Sequence, residues 1–222
     1  DRLRSRGLGD VYKRQVVDER DENLVVNQKM NEAHTNISYM KAADFQKMEA
    51  VEKEGKYDLI VLRADRPDMD IKECFTRLSS YLSENGKLIF ACENALGLNF
   101  LSGAVHDEDE TAFTKGELEE ALKEAGLSKV EFYYPMPEYK RAVSVYSDRY
   151  LPGKGDIPHV TAVYDRQRWA CIHEDEISDK LVQEKAFGLF SNAYLAVASK
   201  GAESFKTCLL YTSPSPRDRS LS

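Results

Sequence analysis

Tyr57-Asp58-Leu59-Ile60-Val61-Leu62 and Gly86-Lys87-Leu88-Ile89-Phe90-Ala91-Cys92 are two short apolar runs, each bounded by charged residues. Between them, Ile71, Cys74, Phe75, Leu78, Tyr81 and Leu82 recur at spacings of three and four. That spacing predicts a helix with one buried face. Asn85-Gly86 is expected to close it, the glycine taking the left-handed conformation. Two nearly all-apolar strands joined by a helix predict a parallel βαβ crossover buried on both faces. In such sheets ligands sit beyond the carboxyl ends of the strands. Arg63-Ala64-Asp65 and Glu93-Asn94-Ala95 therefore mark the working end.

The two ends of the chain read differently from the interior. Ser5 to Gln15 back-translates into a DNA whose reverse complement, in another frame, encodes Cys208 to Asp218. Residues 1–15 and 208–222 are accordingly read as translated sequencing adapter, expected to pack poorly. The natural piece is then 16–207, a fragment. The whole chain carries a formal charge of −7. The first fifteen residues hold five basic and two acidic groups and the last fifteen hold two and one, leaving −11 on the interior. Such an acidic domain excludes non-specific binding to nucleic acid or anionic lipid. Cys74, Cys92 and Cys171 lie far apart with no ligand spacing, which fits inert thiols in a reducing, cytoplasmic compartment. No apolar run is long enough for a membrane span.

Outward from the central unit, Val16-Val17 predicts the tail of a strand ending at Asp18, which can cap the following helix. Leu24, Val25, Gln28 and Met30 are expected on or near that helix's inner side. Asn36 to Met40 predicts a second strand delivering Ala42-Ala43-Asp44-Phe45 to its carboxyl end, and Phe45 to Glu54 a charged helix. Asp107-Glu108-Asp109-Glu110 reads as a solvated acidic loop. Thr114 and Glu117 form a capping box for a helix that ends at Gly126. Val130 to Tyr134 is a strand halted by Pro135 and Pro137, and residues 138–190 read as irregular and aromatic-rich. Ala193 to Ala198 is the last strand.

This order resembles that of class I S-adenosylmethionine-dependent methyltransferases. The resemblance rests on strand–Asp18–helix, strand–Ala43-Asp44-Phe45, the central unit, the helix ending Glu124-Ala125-Gly126-Leu127 and the two closing strands. Glu93-Asn94-Ala95-Leu96-Gly97-Leu98, Phe132 to Lys140, Tyr146 to Pro152 and Phe190 to Leu195 look like a bacterial subgroup encoded with glycosyltransferases of surface-polysaccharide synthesis. The resemblance implies a Rossmann-like, mostly parallel α/β sheet with an antiparallel last strand and an aromatic-rich insertion over about 135–190. The family's first strand and glycine-rich turn would precede Val16. That strand is central in the family's sheet, so a gap or a false partner is expected there, and no catalysis by the chain as it stands.

The resemblance implies S-adenosylmethionine as cofactor and methyl transfer to a sugar or glycan. Asp18 matches the acid that accepts both ribose hydroxyls, or it is a plain helix cap. Asp44 matches the acceptor for the adenine amino group, and Phe45 either packs on the ring or belongs to the core. Arg63 and Ala64 follow the fourth strand, where the family lines the methyl-transfer face, though Arg63 also reads as a surface ion pair. His106, set among carboxylates, is a candidate general base or a surface histidine. Tyr134, Glu138 and Tyr139 either form an aromatic and acidic wall for a sugar or pack a proline-rigidified connection. His159, Trp169 and His173 show no metal-site spacing. A non-catalytic module serving an adjacent glycosyltransferase domain is the other reading. A nicotinamide dehydrogenase is disfavoured by the closing antiparallel strand and the missing Tyr-Lys or His constellation.

Overall fold

The computed structural model describes residues 13–47, 57–64, 70–105, 111–157 and 172–201. The chain divides into two compact units, Asp1–Gly55 and Lys56–Ser222.

In the first unit, β1 (Arg14–Asp18) and β2 (Ile37–Lys41) pair in parallel, from Arg14↔Ile37 to Asp18↔Lys41. They are linked by α1 (Asp21–Met30), and α2 (Ala42–Lys47) follows β2. Arg14 and Gln15, assigned above to the adapter, extend the ladder, because backbone pairing is largely indifferent to side-chain origin. Leu24, Val25, Gln28 and Met30 do not form an inner face, since no residue of α1 is buried. Two strands offer too little apolar surface to cover a helix.

The second unit holds a six-stranded sheet. Its core is β3 (Tyr57–Arg63), α3 (Ile71–Tyr81) and β4 (Leu82–Asn94), with β3 and β4 parallel from Leu59↔Lys87 to Arg63↔Ala91. Asp70 caps α3 by accepting from the backbone N–H groups of Lys72 and Glu73, both at 3.1 Å. Ile71, Phe75 and Leu78 form the buried stripe that the spacing predicts. The helix ends at Tyr81, earlier than Asn85-Gly86, and Leu82 is already extended. Gly86 sits inside β4 without a positive φ. Close approach demands it there: a Cβ would meet the Tyr57 carbonyl oxygen at 2.8 Å.

The remaining elements complete the sheet. They are α4 (Leu98–Leu101), β5 (Ala112–Phe113), α5 (Lys115–Glu124), β6 (Lys129–Met136), β7 (Ser144–Ser147), α6 (Glu174–Gln183), α7 (Phe187–Phe190) and β8 (Ala193–Ser199). Strand order is β3-β4-β8-β6-β7, with β5 parallel to the end of β4. Antiparallel β8 lies between β4 and β6, pairing from Lys87↔Ser199 to Glu93↔Ala193 on one side and from Lys129↔Ser199 to Tyr133↔Leu195 on the other. β3, β4, β5 and β6 consequently run one way, and the expected antiparallel last strand is present. Among the described residues, β1 and β2 form a two-stranded sheet of their own.

Three expectations are corrected. β3 is not buried on both faces, since Leu59 is 52% and Val61 68% exposed on this edge strand. Pro135 does not halt β6, which continues to Met136 against β7 after its pairing with β8 has stopped at Tyr133. The insertion is not irregular throughout, for it contributes β7, α6 and α7. The capping box stands as read: Thr114 and Glu117 exchange both bonds, and Gly126 takes φ +77°. Phe75 meets Phe90 edge-to-face at 5.0 Å in the core beneath α3.

Candidate functional site

The codirectional strands β3, β4, β5 and β6 end at one edge of the second unit, and β8 begins there. Ala64, just beyond β3, is buried and donates its N–H to the Ala91 carbonyl at 2.9 Å. Arg63, the last residue of β3, is exposed.

Asn94, at the end of β4, is fully buried. Its amide nitrogen donates to the carbonyls of Leu189 (2.8 Å) and Ser191 (2.7 Å), and its oxygen accepts from Leu96 N–H (2.9 Å). Asn192 repeats the device: its oxygen accepts from Asn99 N–H (3.0 Å) and its nitrogen donates to the Pro137 carbonyl (3.1 Å). Both amides satisfy backbone groups that helices and strands leave over at this edge. They tie the loop after β4, the end of β6 and the approach to β8 into one rigid rim.

Beside that rim lies a cavity of about 30 Å³ between the end of β6, α6 and α7. Leu98, Met136 and Phe187 supply apolar wall, and Glu174, Asp175 and Ser178 supply polar wall. The Ser102 hydroxyl is buried against the Glu174 carboxylate and the Asn99 carbonyl. Neither Asn192 nor Glu174 reveals its role in the sequence, because each acquires it only from a partner far along the chain. Asn94 was legible as a position at a strand's carboxyl end, though not as the joint of the rim.

Tyr134 is placed differently from the sugar-facing wall in which the sequence set it. Its ring is fully buried, edge-to-face with Phe187 and Tyr194, so it belongs to the core. Its hydroxyl donates to the Asp148 carboxylate and accepts from Lys115 Nζ at 2.9 Å, while Lys115 also reaches Asp148 at 3.0 Å. Burial, and then the hydrogen bond to Asp148, push the Tyr134 hydroxyl well above the usual tyrosine range. It stays protonated and is no base. Glu138 and Tyr139 are partly exposed just past β6, and Glu138 pairs with Arg141 at 3.8 Å.

The first unit holds the other two acids. Asp18 ends β1, yet it is not the cap of α1, whose N-cap is Arg20. The Asp18 carboxylate instead accepts from Arg20 N–H (2.8 Å) and from the Asn23 side chain (3.0 and 3.2 Å). This orients both oxygens and leaves acceptor capacity, since a carboxylate takes about four hydrogen bonds. Asp44 is exposed in the first turn of α2. Phe45 belongs to the backbone of that helix, and its side chain lies outside the described residues, as do His106, His159 and Trp169. Among the described residues, no group of three His, Cys, Asp or Glu could hold a metal, and no helix is long and apolar enough to cross a membrane.

With this geometry in place, solved structures were compared. The Haloferax volcanii protein solved in complex with a methyltransferase activator is 16% identical, at TM-score 0.51 over 88% of this chain and 76% of its own. An S-adenosylmethionine-dependent methyltransferase of Thermotoga maritima is 10% identical, at TM-score 0.48 over 85% and 73%. One of Clostridium acetobutylicum is 13% identical, at TM-score 0.46 over 89% and 79%. The likeness is one of fold. It rests on the Haloferax structure, and it agrees with the Rossmann-like sheet and its antiparallel β8. No protein-family model and no curated protein matches the chain.

Proposed function

We propose that the chain belongs to an S-adenosylmethionine-dependent methyltransferase acting on a sugar or glycan in bacterial surface-polysaccharide synthesis, alongside a glycosyltransferase. The observation that carries the methyltransferase reading is antiparallel β8 seated between the codirectional β4 and β6. That insertion sets this sheet apart from dinucleotide-binding sheets, which are mostly parallel and carry an antiparallel strand, where they have one, at an edge. The glycan acceptor and the glycosyltransferase partner rest on the motif resemblance alone.

The residues present fit part of the cofactor. Asp18, with both oxygens oriented, suits the paired ribose hydroxyls. Asp44, at the carboxyl end of β2, suits the adenine amino group, with Phe45 against the ring. Arg63 and Ala64 line the methyl-transfer side. No described residue suits the methionine end, so turnover is not expected of the chain as it stands. S-adenosylmethionine supplies a methyl group already activated on a sulfonium. The protein's part is alignment, which can contribute several kcal/mol of the barrier. His106, Glu138 and Tyr139 are the groups proposed to take the acceptor's proton or hold its ring.

Titration calorimetry with S-adenosylhomocysteine tests this reading. Asp18→Ala should weaken binding about ten- to a hundredfold, as a charge-assisted hydrogen bond contributes roughly 1.5–3 kcal/mol. Unchanged affinity removes Asp18 from the site. Absence of binding by the parent protein favours the non-catalytic module.

A further inference from the structure

We infer that the outer edge of β3 is an interface for a second copy of this chain, whose own β3 adds antiparallel across a two-fold axis and joins the two sheets into one. The inference stands apart from the proposed activity and needs no ligand.

The backbone supplies the first observation. Ala64 N–H bonds to the Ala91 carbonyl of β4 at 2.9 Å. The N–H and C=O groups of successive strand residues point to opposite sides, so those of Leu62 and Ile60 also face β4, and those of Val61 and Leu59 face away from it. β3 ends the sheet, and Leu59 and Val61 are both exposed, so among the described residues no strand lies against that outer row. Such an edge is ordinarily blunted by charge, proline or a bulge. From Leu59 to Leu62 this one carries none of the three, and the irregularity in its ladder comes earlier, between Tyr57 and Leu59.

The side chains supply the second. Val61 stands opposite Ile89 on β4, and Ile89 opposite Val197 on β8. An apolar row therefore crosses the sheet and stops, exposed, at Val61. A further strand beyond β3 would continue it.

Self-complementarity names that strand. With the two-fold axis at Ile60, Leu59 of each copy meets Val61 of the other on one face, and each such pair exchanges both of its N–H···O bonds. Ile60 then meets its own equivalent as the intervening pair without hydrogen bonds. An axis at Val61 would set Leu59 against Arg63, and one at Leu59 would pair across the irregularity. Charge agrees: Asp58 and Arg63 bracket the apolar stretch, so antiparallel pairing brings opposite charges to matching ends, and parallel pairing would bring like to like. The far edge of the sheet is a poorer partner. β7 is four residues long, and its last, Ser147, is bridged to Tyr150. Adding β3 to β7 of another copy would also leave an open filament, whereas β3 on β3 closes.

The test is analytical ultracentrifugation of this chain. So small an interface should give a dimer that forms over roughly 1–100 μM. Val61→Lys puts a charge into the outer row and should weaken the dimer by about tenfold or more, with circular dichroism showing the fold retained. Val145→Lys, at an exposed position of β7, should leave it unchanged. The axis is read with Ile60→Cys. Opposite residues of a pair without hydrogen bonds lie about 4.5 Å apart between Cα atoms, within disulfide reach, so mild oxidation should link two chains through position 60, identified by peptide mass. A chain still monomeric at about 100 μM overturns the inference, as does a Val61→Lys dimer as tight as the parent's. Loss of the dimer in Val145→Lys would move the interface to β7 and overturn it too. A dimer that persists without linking through position 60 overturns the two-fold pairing.

Discussion

The side-chain amide of Asn94 donates to the Ser191 carbonyl at 2.7 Å, across 97 residues of sequence. One buried side chain thereby welds the end of β4 to the start of the closing strand, and the rim of the candidate site hangs on it.

Replacing Asn94 should be costly. Asn94→Ala leaves the Leu189 and Ser191 carbonyls and the Leu96 N–H without partners. At about 1 kcal/mol or more each, the loss should total roughly 2–4 kcal/mol in urea denaturation. Asn94→Asp should be worse at neutral pH, because a carboxylate would face two carbonyl oxygens. Its folded pKa would be raised, so the variant should regain stability as pH falls toward about 4. A loss under about 0.5 kcal/mol in Asn94→Ala, the size of an ordinary surface change, would show that the rim does not depend on this residue.

Tyr134 predicts an alkaline limit. Its hydroxyl is held above the usual tyrosine range by burial first and Asp148 second. Tyr194 is raised too, chiefly by burial. The folded state holds these protons more tightly than the unfolded chain, so the stability they contribute is complete below about pH 10 and is lost as pH rises beyond it. Unfolding free energies measured from pH 9 to 11.5 should fall, and Tyr134→Phe should flatten the slope by about 1.4 kcal/mol per pH unit. At pH 7 that variant should lose only about 1 kcal/mol, since Lys115 and Asp148 remain paired. Identical slopes in the two proteins would mean that Tyr134 ionises freely.

Gly86 should tolerate no side chain. A Cβ would lie 2.8 Å from the Tyr57 carbonyl oxygen and 3.0 Å from the backbone of Ser83, none of which is a flexible side chain that could swing away. Gly86→Ala should lower stability by about 1–3 kcal/mol, the range for overpacking, read as a drop in the melting temperature. An unchanged melting temperature would place β3 and β4 farther apart at this point than described.

Much of the architecture was legible because the interactions that encode it are local. The spacing of Ile71, Phe75 and Leu78 names a helix face within one turn of itself. Thr114 and Glu117 close their box over three residues. The apolar runs at Tyr57 and Leu88, with one helix between, admit a parallel pairing and little else. The same locality explains the misreading of Asn85-Gly86. A glycine near a helix end signals a cap, but what needs a glycine here is the Tyr57 carbonyl across the sheet.

The site divides along the same line. Sequence alone placed Arg63, Ala64 and Asn94 at strand ends and Asp18 and Asp44 after the first two strands, because a strand's direction carries its last residues to a known edge. Only tertiary structure turned Tyr134 inward onto Lys115 and Asp148 and set Ser102 against Glu174. Those pairs stand 14 to 72 residues apart where they are not adjacent on one element, and no periodicity connects them. Burial and hydrogen bonding assign such roles after the chain has closed on itself, through the desolvation of whichever polar groups happen to meet.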